Sequence, residues 1–240
     1  MTVNHGRALD LAVIGLATIG LAVLSLALTP IATLAAVTPP AATAILFDAK
    51  HLLNVGKGEA LRYRFQRTVS NPKLLGEPFS DDISVDVLNT APDETREVSV
   101  QVFSGERARR EQHINGMTGN PVLVVFLDRA VNNFSQLAGG NRPYLKQKMK
   151  MALDSGAKID PVVVSYKGAS HDGYRIRVSP YVGDANALKM MGYDGASFEI
   201  VVSEKVPGHF VQFSSVYESP VKDNPRLEER IVLDGVEGVK

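Results

Sequence analysis

Residues 120–156 read NPVLVVFLDRAVNNFSQLAGGNRPYLKQKMKMALDSG, and this stretch decides the fold. Asn120-Pro121 is typical of a helix start, because asparagine caps free N–H groups and proline needs no donor in the first turn. Gly139-Gly140 is typical of a helix end. Between these signals the apolar residues recur at spacings of three and four, as along one helix face: Leu123, Leu127, Val131, Phe134 and Leu137. A first helix is therefore predicted here.

A second helix is predicted directly after the first. Asn141-Arg142-Pro143 repeats the start signal, and Gly156 marks the end. The residues predicted to be buried are Tyr144, Leu145, Met149, Ala152 and Leu153. The two helices form a pair with strand-like sequence on both sides.

The flanking sequence alternates between apolar and polar residues, as half-buried strands do. Leu61, Tyr63 and Phe65 alternate with polar neighbours in the clearest case. Residues 162–164 are all valine, which favours a more central strand. Residues 167–173 read as a polar loop, and Pro207-Gly208 predicts a hairpin with a type II turn. Eight runs predict strands, near 61–66, 83–87, 98–102, 162–164, 174–178, 198–202, 210–213 and 227–233, and a poorly patterned run near 107–114 is the candidate for a further one, fourth in chain order.

These patterns predict an α+β fold, in which a curved antiparallel sheet of about eight strands packs on the central helical pair. The apolar stripes of the helices face the sheet in this prediction. A groove between sheet and helices is then the candidate binding site for an apolar ligand. Its candidate lining residues are Leu127, Phe134, Tyr144 and Met149.

The composition excludes some functions for the chain as a whole. It has 240 residues, 45% of them hydrophobic, so the chain is not disordered overall. Lys and Arg together number 26, as do Asp and Glu, so no global charge favours nucleic acid. With no cysteine, the chain has no disulfides, thiol catalysis or thiolate metal ligands.

The N-terminal sequence indicates export. Residues 11–47 carry no charge, and the apolar run of residues 11–28 precedes the small residues Ala42-Thr43-Ala44. We expect residues 1–44 to be a signal peptide and residues 45–240 to form one α+β domain in the periplasm or secreted. The alternative is an uncleaved inner-membrane anchor with the domain facing the periplasm, because this 18-residue run is close to the length of about 20 residues that spans a bilayer.

The motifs for catalysis and metal binding are weak. Ser170-His171-Asp172 is not a catalytic triad, because the members of a triad converge from separated positions. Asp81-Asp82 lies at the start of a strand, where neighbouring side chains point to opposite faces. The histidines lack metal-ligand spacing. No catalytic residue, metal site or cofactor is predicted, although a hydrolase with scattered residues stays an alternative.

Two clusters of basic residues are present. Arg142, Lys146 and Lys150 follow one another at spacings of four along the second helix, and Arg107, Arg109 and Arg110 lie near the fourth predicted strand. Such runs are usually solvated faces. The first cluster is also the candidate surface for an anionic membrane.

Several short segments together resemble a set of exported proteobacterial proteins with no assigned function. The segments are Leu61-Arg62-Tyr63-Arg64-Phe65, Phe79-Ser80-Asp81-Asp82-Ile83, Gly119-Asn120-Pro121 followed by Phe126-Leu127, Gly139-Gly140-Asn141, and Val206-Pro207-Gly208. The resemblance implies export but no activity and no functional residue. The predicted architecture is also similar to periplasmic lipoprotein-carrier folds, and such a likeness does not fix function.

The sequence therefore favours a non-catalytic envelope protein that binds a lipid-like or other apolar ligand. The alternative is a structural or protein-interaction module of the envelope, with an envelope protein as its partner. An apolar cavity would favour the first function, and a filled core with an exposed apolar edge would favour the second.

Overall fold

The computed structural model describes residues 39–238, so the predicted leader run 11–28 lies outside the described residues. Within the described residues, nine strands form one open, curved antiparallel sheet in the order β4-β3-β2-β1-β9-β8-β7-β6-β5. This confirms the predicted fold class, with nine strands instead of about eight. The strands are β1 Glu59–Val69, β2 Phe79–Thr90, β3 Arg96–Val102, β4 Gln112–Met117, β5 Lys158–Tyr166, β6 Ala169–Val178, β7 Ser197–Val202, β8 Phe210–Tyr217 and β9 Leu227–Gly238.

The predicted helical pair is confirmed. Asn120 caps the first long helix, since its side-chain oxygen accepts a hydrogen bond from Val122 N at 3.1 Å. Within residues 39–238, no helix is both long and apolar enough to cross a bilayer. The helices are α1 Pro72–Leu75, α2 Val122–Ala138 and α3 Arg142–Ser155, with shorter turns at Ala44–Asp48, Gly105–Arg107, Ala187–Lys189 and Tyr193–Gly195.

The sheet has a buried inner face and a polar outer face. Leu61, Tyr63 and Phe65 of β1 are fully buried on the inner side. Arg62, between them, points outward and forms a 2.9 Å salt bridge with Asp86 on β2. The predicted alternation of this strand is therefore confirmed.

Helix α2 packs against the inner face of the sheet. The ring of Phe126 lies 5.0 Å from the ring of Phe213 on β8. About two helical turns further along α2, the ring of Phe134 lies 3.9 Å from the ring of Tyr181, which follows β6. Large aromatic side chains thus fill the space between α2 and the sheet, where such contacts carry much of the packing energy.

The position predicted for the valine run is wrong. Strand β5, which contains residues 162–164, is an edge strand of the sheet, and Val163 is 71% exposed. Pro161 lies in the same strand and has no N–H to donate to a neighbouring strand. Proline is therefore confined to edge strands or strand starts, and this signal outweighs the apolar run.

The predicted loop 167–173 is mostly strand. Residues 169–173 belong to β6, and the turn consists of only Lys167 and Gly168. Both have positive φ angles, +48° and +79°, as a tight type I′ hairpin turn requires. The prediction took the polar composition of residues 169–173 as a sign of a loop. These residues instead pair with the edge strand β5, where strand residues can carry exposed polar side chains.

The fourth strand begins later than predicted. Strand β4 spans Gln112–Met117, whereas the predicted start, Arg107, ends a short 3-10 turn. The amide of Arg109 donates to the carbonyl of Val102 at 2.9 Å, so the basic segment folds back on the end of β3.

Candidate functional site

Helix α2 has two apolar sides instead of one. Phe126, Ala130 and Phe134 are buried on the side that faces the sheet. Val124 and Leu127, on the other side, are 63% exposed and half-buried respectively. A helix that is apolar on more than one side needs a further partner for its second side.

Helix α3 covers part of that second side. Met149 and Leu153 of α3 are almost fully buried. At the edge of the contact, Lys146 Nζ lies 2.9 Å from Asp128 Oδ1 of α2, and both side chains are about half exposed. Such an exposed ion pair contributes little to stability, so the apolar contacts hold the two helices together.

A pocket of about 390 Å³ lies between the two helices and the short turn Ala44–Asp48. Most of its wall is apolar, and its charged lining residues, which we call the rim, are exposed or half-buried: Asp128, Lys146, Lys150 and Asp154. This volume is at the lower end of the range of about 300–1,000 Å³ for small-molecule sites. The pocket is lined by Thr43, Phe47, Val124, Leu127, Asp128, Val131, Lys146, Met149, Lys150, Leu153 and Asp154.

The rim of the pocket carries two basic and two acidic side chains: Lys146, Lys150, Asp128 and Asp154. The hydrogen bond from Lys146 lowers the pKa of Asp128, and the nearby charge of Arg142 acts in the same direction. Asp128 therefore stays ionised at neutral pH. The two positive and two negative charges at the rim balance, and the rest of the pocket wall is mostly apolar.

The structure separates the four residues predicted to line an apolar groove. Leu127 and Met149 both line the pocket. Phe134 instead packs on Tyr181 beneath α2, and Tyr144 lies outside the pocket. The pocket thus lies between the two helices, whereas the predicted groove lay between the helices and the sheet.

Of the three predicted surface cations, Lys146 and Lys150 lie at the rim. Arg142 is exposed at the start of α3, and its charge reaches Asp128. The structure therefore brings this basic face of α3 to the mouth of the pocket.

Tyr144 belongs to a polar cluster that ties α3 to the loop after β6. Its hydroxyl donates to the buried Asp184 carboxylate at 2.6 Å, and Lys148 Nζ lies 2.8 Å from the same group. These two hydrogen bonds, with a third from the Asn186 amide, lower the pKa of Asp184 to about 2. Asp184 is thus fully ionised and satisfied, and the cluster serves to position α3.

Seven lining residues were absent from the predicted sites: Thr43, Phe47, Val124, Asp128, Val131, Leu153 and Asp154. Val124, Leu127 and Val131 are three and four residues apart, so the sequence does carry a signal for a second stripe on α2. Thr43 and Phe47 carried no such signal, because Thr43 belongs to the predicted leader of residues 1–44 and Phe47 follows it by only three residues.

The weak catalytic motifs are explained by local structure. Ser170, His171 and Asp172 are consecutive residues of β6, so their side chains alternate between the two faces. Asp81 accepts hydrogen bonds from the amide and the hydroxyl of Ser104, both at 2.9 Å, and so anchors the end of β3. Within residues 39–238, no group of three or more His, Asp or Glu residues is arranged to hold a metal ion.

Comparison with known proteins gives little further information. No family model matches the chain, and no curated protein matches it. Among solved structures, the Mycobacterium tuberculosis lipoprotein LppX is similar, with 14% identity over 76% of this chain and 87% of LppX, and a TM-score of 0.30. A LolA superfamily protein from Nitrosomonas europaea has 10% identity over 83% of this chain and 94% of its own, and a TM-score of 0.21. At these TM-scores, neither protein supports a functional assignment.

Proposed function

We propose that this protein binds a lipid-like or other apolar ligand in the pocket between α2 and α3. The proposal rests on one observation, the concave apolar wall formed by six side chains from three segments of the chain. These side chains are Phe47, Val124, Leu127, Val131, Met149 and Leu153. The charge-free N-terminal sequence supports a location outside the cytoplasm, in the periplasm or secreted.

The size and chemistry of the pocket, about 390 Å³ with a mostly apolar wall, favour a small apolar group. Each methylene group moved from water into such a site gains about 0.8 kcal/mol, so a short chain suffices for measurable binding. The charged side chains lie only at the rim, where Lys146 and Lys150 remain able to contact a polar end group of the ligand. The proposal is for binding alone and assigns no reaction to the protein.

The test compares two valines with the same exposure. Val124, at the pocket, is 63% exposed, and Val182, in the loop after β6, is 64% exposed. We expect Val124→Asp to weaken binding of the uncharged dye Nile red by about tenfold or more, because the carboxylate must lose water when the dye binds. Val182→Asp is the matched control and should leave the affinity unchanged. Fluorescence titration measures both, and equal affinities for wild type and Val124→Asp would contradict the proposal.

A second candidate function is protein binding through the loop that follows β6. Leu188 is fully exposed in this loop, and Val182 and Met191 are more than half exposed. Exposed apolar patches of this kind often mark interaction sites. If Val182→Asp abolishes Nile red binding and Val124→Asp does not, the loop and not the pocket is the apolar binding surface.

A further inference from the structure

The segment of residues 42–56, which we call the N-terminal turn, forms one wall of the pocket. Thr43 and Phe47 contribute that wall. The side chain of Leu46, between them, is buried in the core together with Leu52. The N-terminal turn therefore links the pocket directly to the interior of the protein.

His51 joins the N-terminal turn to the start of α2. The side chain is buried, and its Nε2 lies 2.8 Å from the carbonyl oxygen of Ile45, so Nε2 must carry a proton and donate it. Its Nδ1 accepts a hydrogen bond from the amide of Asn120 at 3.4 Å. This arrangement requires the neutral imidazole. A proton on Nδ1 would oppose the Asn120 N–H and break the contact with α2.

A second histidine lies beside the first. The ring of His209, in the turn between β7 and β8, is 5.3 Å from the His51 ring and perpendicular to it. Its φ angle of +61° is unusual for a residue other than glycine. Backbone hydrogen bonds to Val206 and Ser203 hold it there, at 2.9 and 2.8 Å. Two imidazolium ions at this separation would repel each other.

Burial keeps both rings neutral at pH 7. It is the main cause that lowers the pKa of His51, against the hydrogen bond to Ile45, which raises it. Burial and then the charge of His51 lower the pKa of His209 to about 4, against Glu204, which raises it. Among the charged and titratable groups of residues 39–238, the two histidines and Glu204 act on this pair.

We propose that the His51–His209 pair is an acid-sensitive latch, which holds the N-terminal turn against α2 and the β7–β8 hairpin and opens the pocket when it is protonated. The latch itself rests on the geometry of the pair, and only its effect on a ligand rests on the proposed function. Histidines with a lowered pKa stabilise the closed form above pH 6.5, and this contribution is lost as the pH falls toward 4.

The chain has no tryptophan, so Phe47→Trp places a single fluorescent reporter on the N-terminal turn. We expect its emission to shift to longer wavelength between about pH 6.5 and 4, while the far-ultraviolet circular dichroism stays native. Adding His51→Gln, which keeps a donor for Ile45 but cannot be protonated in this range, should abolish the shift. His113→Asn is the matched control, since the side chain of His113 is 61% exposed on β4.

A second variant keeps the test decisive if His51→Gln does not fold. His209→Asn removes the second charge, and asparagine tolerates the positive φ angle at this position. It should move the midpoint of the shift by about one pH unit or more toward acid. An unchanged midpoint in both histidine variants would overturn the latch, as would a shift that coincides with loss of circular dichroism. Nile red binding at pH 7 tests ligand binding in the pocket separately. The latch can therefore be disproved while the proposed function holds, and the reverse is also possible.

Discussion

Gly208 lies where the β7–β8 turn meets β1 and the start of α2. Its φ angle is +70°, and a Cβ atom at this position would lie 2.6 Å from Leu61 Cδ1 and 2.8 Å from Asn120 Nδ2. Gly168, in the β5–β6 turn, has a similar φ angle of +79° but no atom within 4 Å of such a Cβ. An alanine at Gly168 would therefore meet only the cost of the backbone conformation. An alanine at Gly208 would meet the same cost and, in addition, a steric clash with Leu61 and Asn120.

We expect Gly168→Ala to lower the free energy of unfolding by about 1–2 kcal/mol, the usual cost of a left-handed conformation for a residue with Cβ. Gly208→Ala should cost at least about 1 kcal/mol more, because Leu61 and Asn120 must also move. Urea unfolding of the two variants measures the difference. Equal losses of unfolding free energy would mean that Leu61 and Asn120 can move away from the new Cβ atom without destabilising the protein.

The sequence predicted this turn but not its surroundings. Pro207-Gly208 between two apolar runs is a local signal, since proline and glycine fit the first and second central positions of a type II turn. The contacts with Leu61 and Asn120 join residues far apart in the chain, and no local pattern encodes them. The same holds for the His51–His209 pair.

At the level of elements, α2 organises the core. Phe134 is fully buried and stacks on Tyr181, as the prediction that this residue faces the sheet required. Phe134→Ala should therefore lower the free energy of unfolding by about 3–5 kcal/mol, from lost transfer energy and the cavity left behind. Phe47→Ala, the same change at a half-exposed position, should cost less than about 1 kcal/mol. Denaturant unfolding measures both, and similar losses would contradict the assigned burial.

The helix boundaries could be predicted because caps, proline and glycine act locally. The orientation of α2 was harder to predict, because its apolar residues surround more than half of the helix. Leu127 was predicted to face the sheet beside Phe134, and it lies on the pocket side instead. The single apolar stripe predicted for α2 contains residues from two different faces of the helix. One face packs on the sheet and the other lies toward α3, and the sequence of α2 alone does not distinguish them.

At the level of the whole molecule, the folded unit includes residues before the predicted cleavage point. Ala42 is buried in the core, and Thr43 lines the pocket. Cleavage after Ala44 would remove both and would cut into the turn Ala44–Asp48. The position of cleavage, or its absence, therefore stays a prediction, which N-terminal sequencing of the protein purified from its own cells tests.

The charge of the whole chain is balanced, so the predicted attraction to an anionic membrane would have to come from a local face, here the face around the pocket. Arg142, Lys146 and Lys150 oppose Asp128 and Asp154 there, which leaves one net positive charge. One charge near an anionic surface contributes about 1 kcal/mol, or about a fivefold preference over neutral vesicles. This is a small effect, and screening over about 8 Å at physiological salt weakens it further.

Changing Arg142, Lys146 and Lys150 to glutamine together turns this face from a net charge of plus one to minus two. We expect the triple variant to lose the preference for anionic vesicles and to bind them more weakly than neutral ones in co-sedimentation at low salt. The matched control changes three exposed lysines elsewhere, Lys57, Lys73 and Lys222, and so alters the net charge of the chain by the same amount. A local binding site responds more to nearby charges than to distant ones. If both triple variants lose the same affinity for anionic vesicles, the total charge of the protein governs membrane contact, and the mouth of the pocket is not the binding surface.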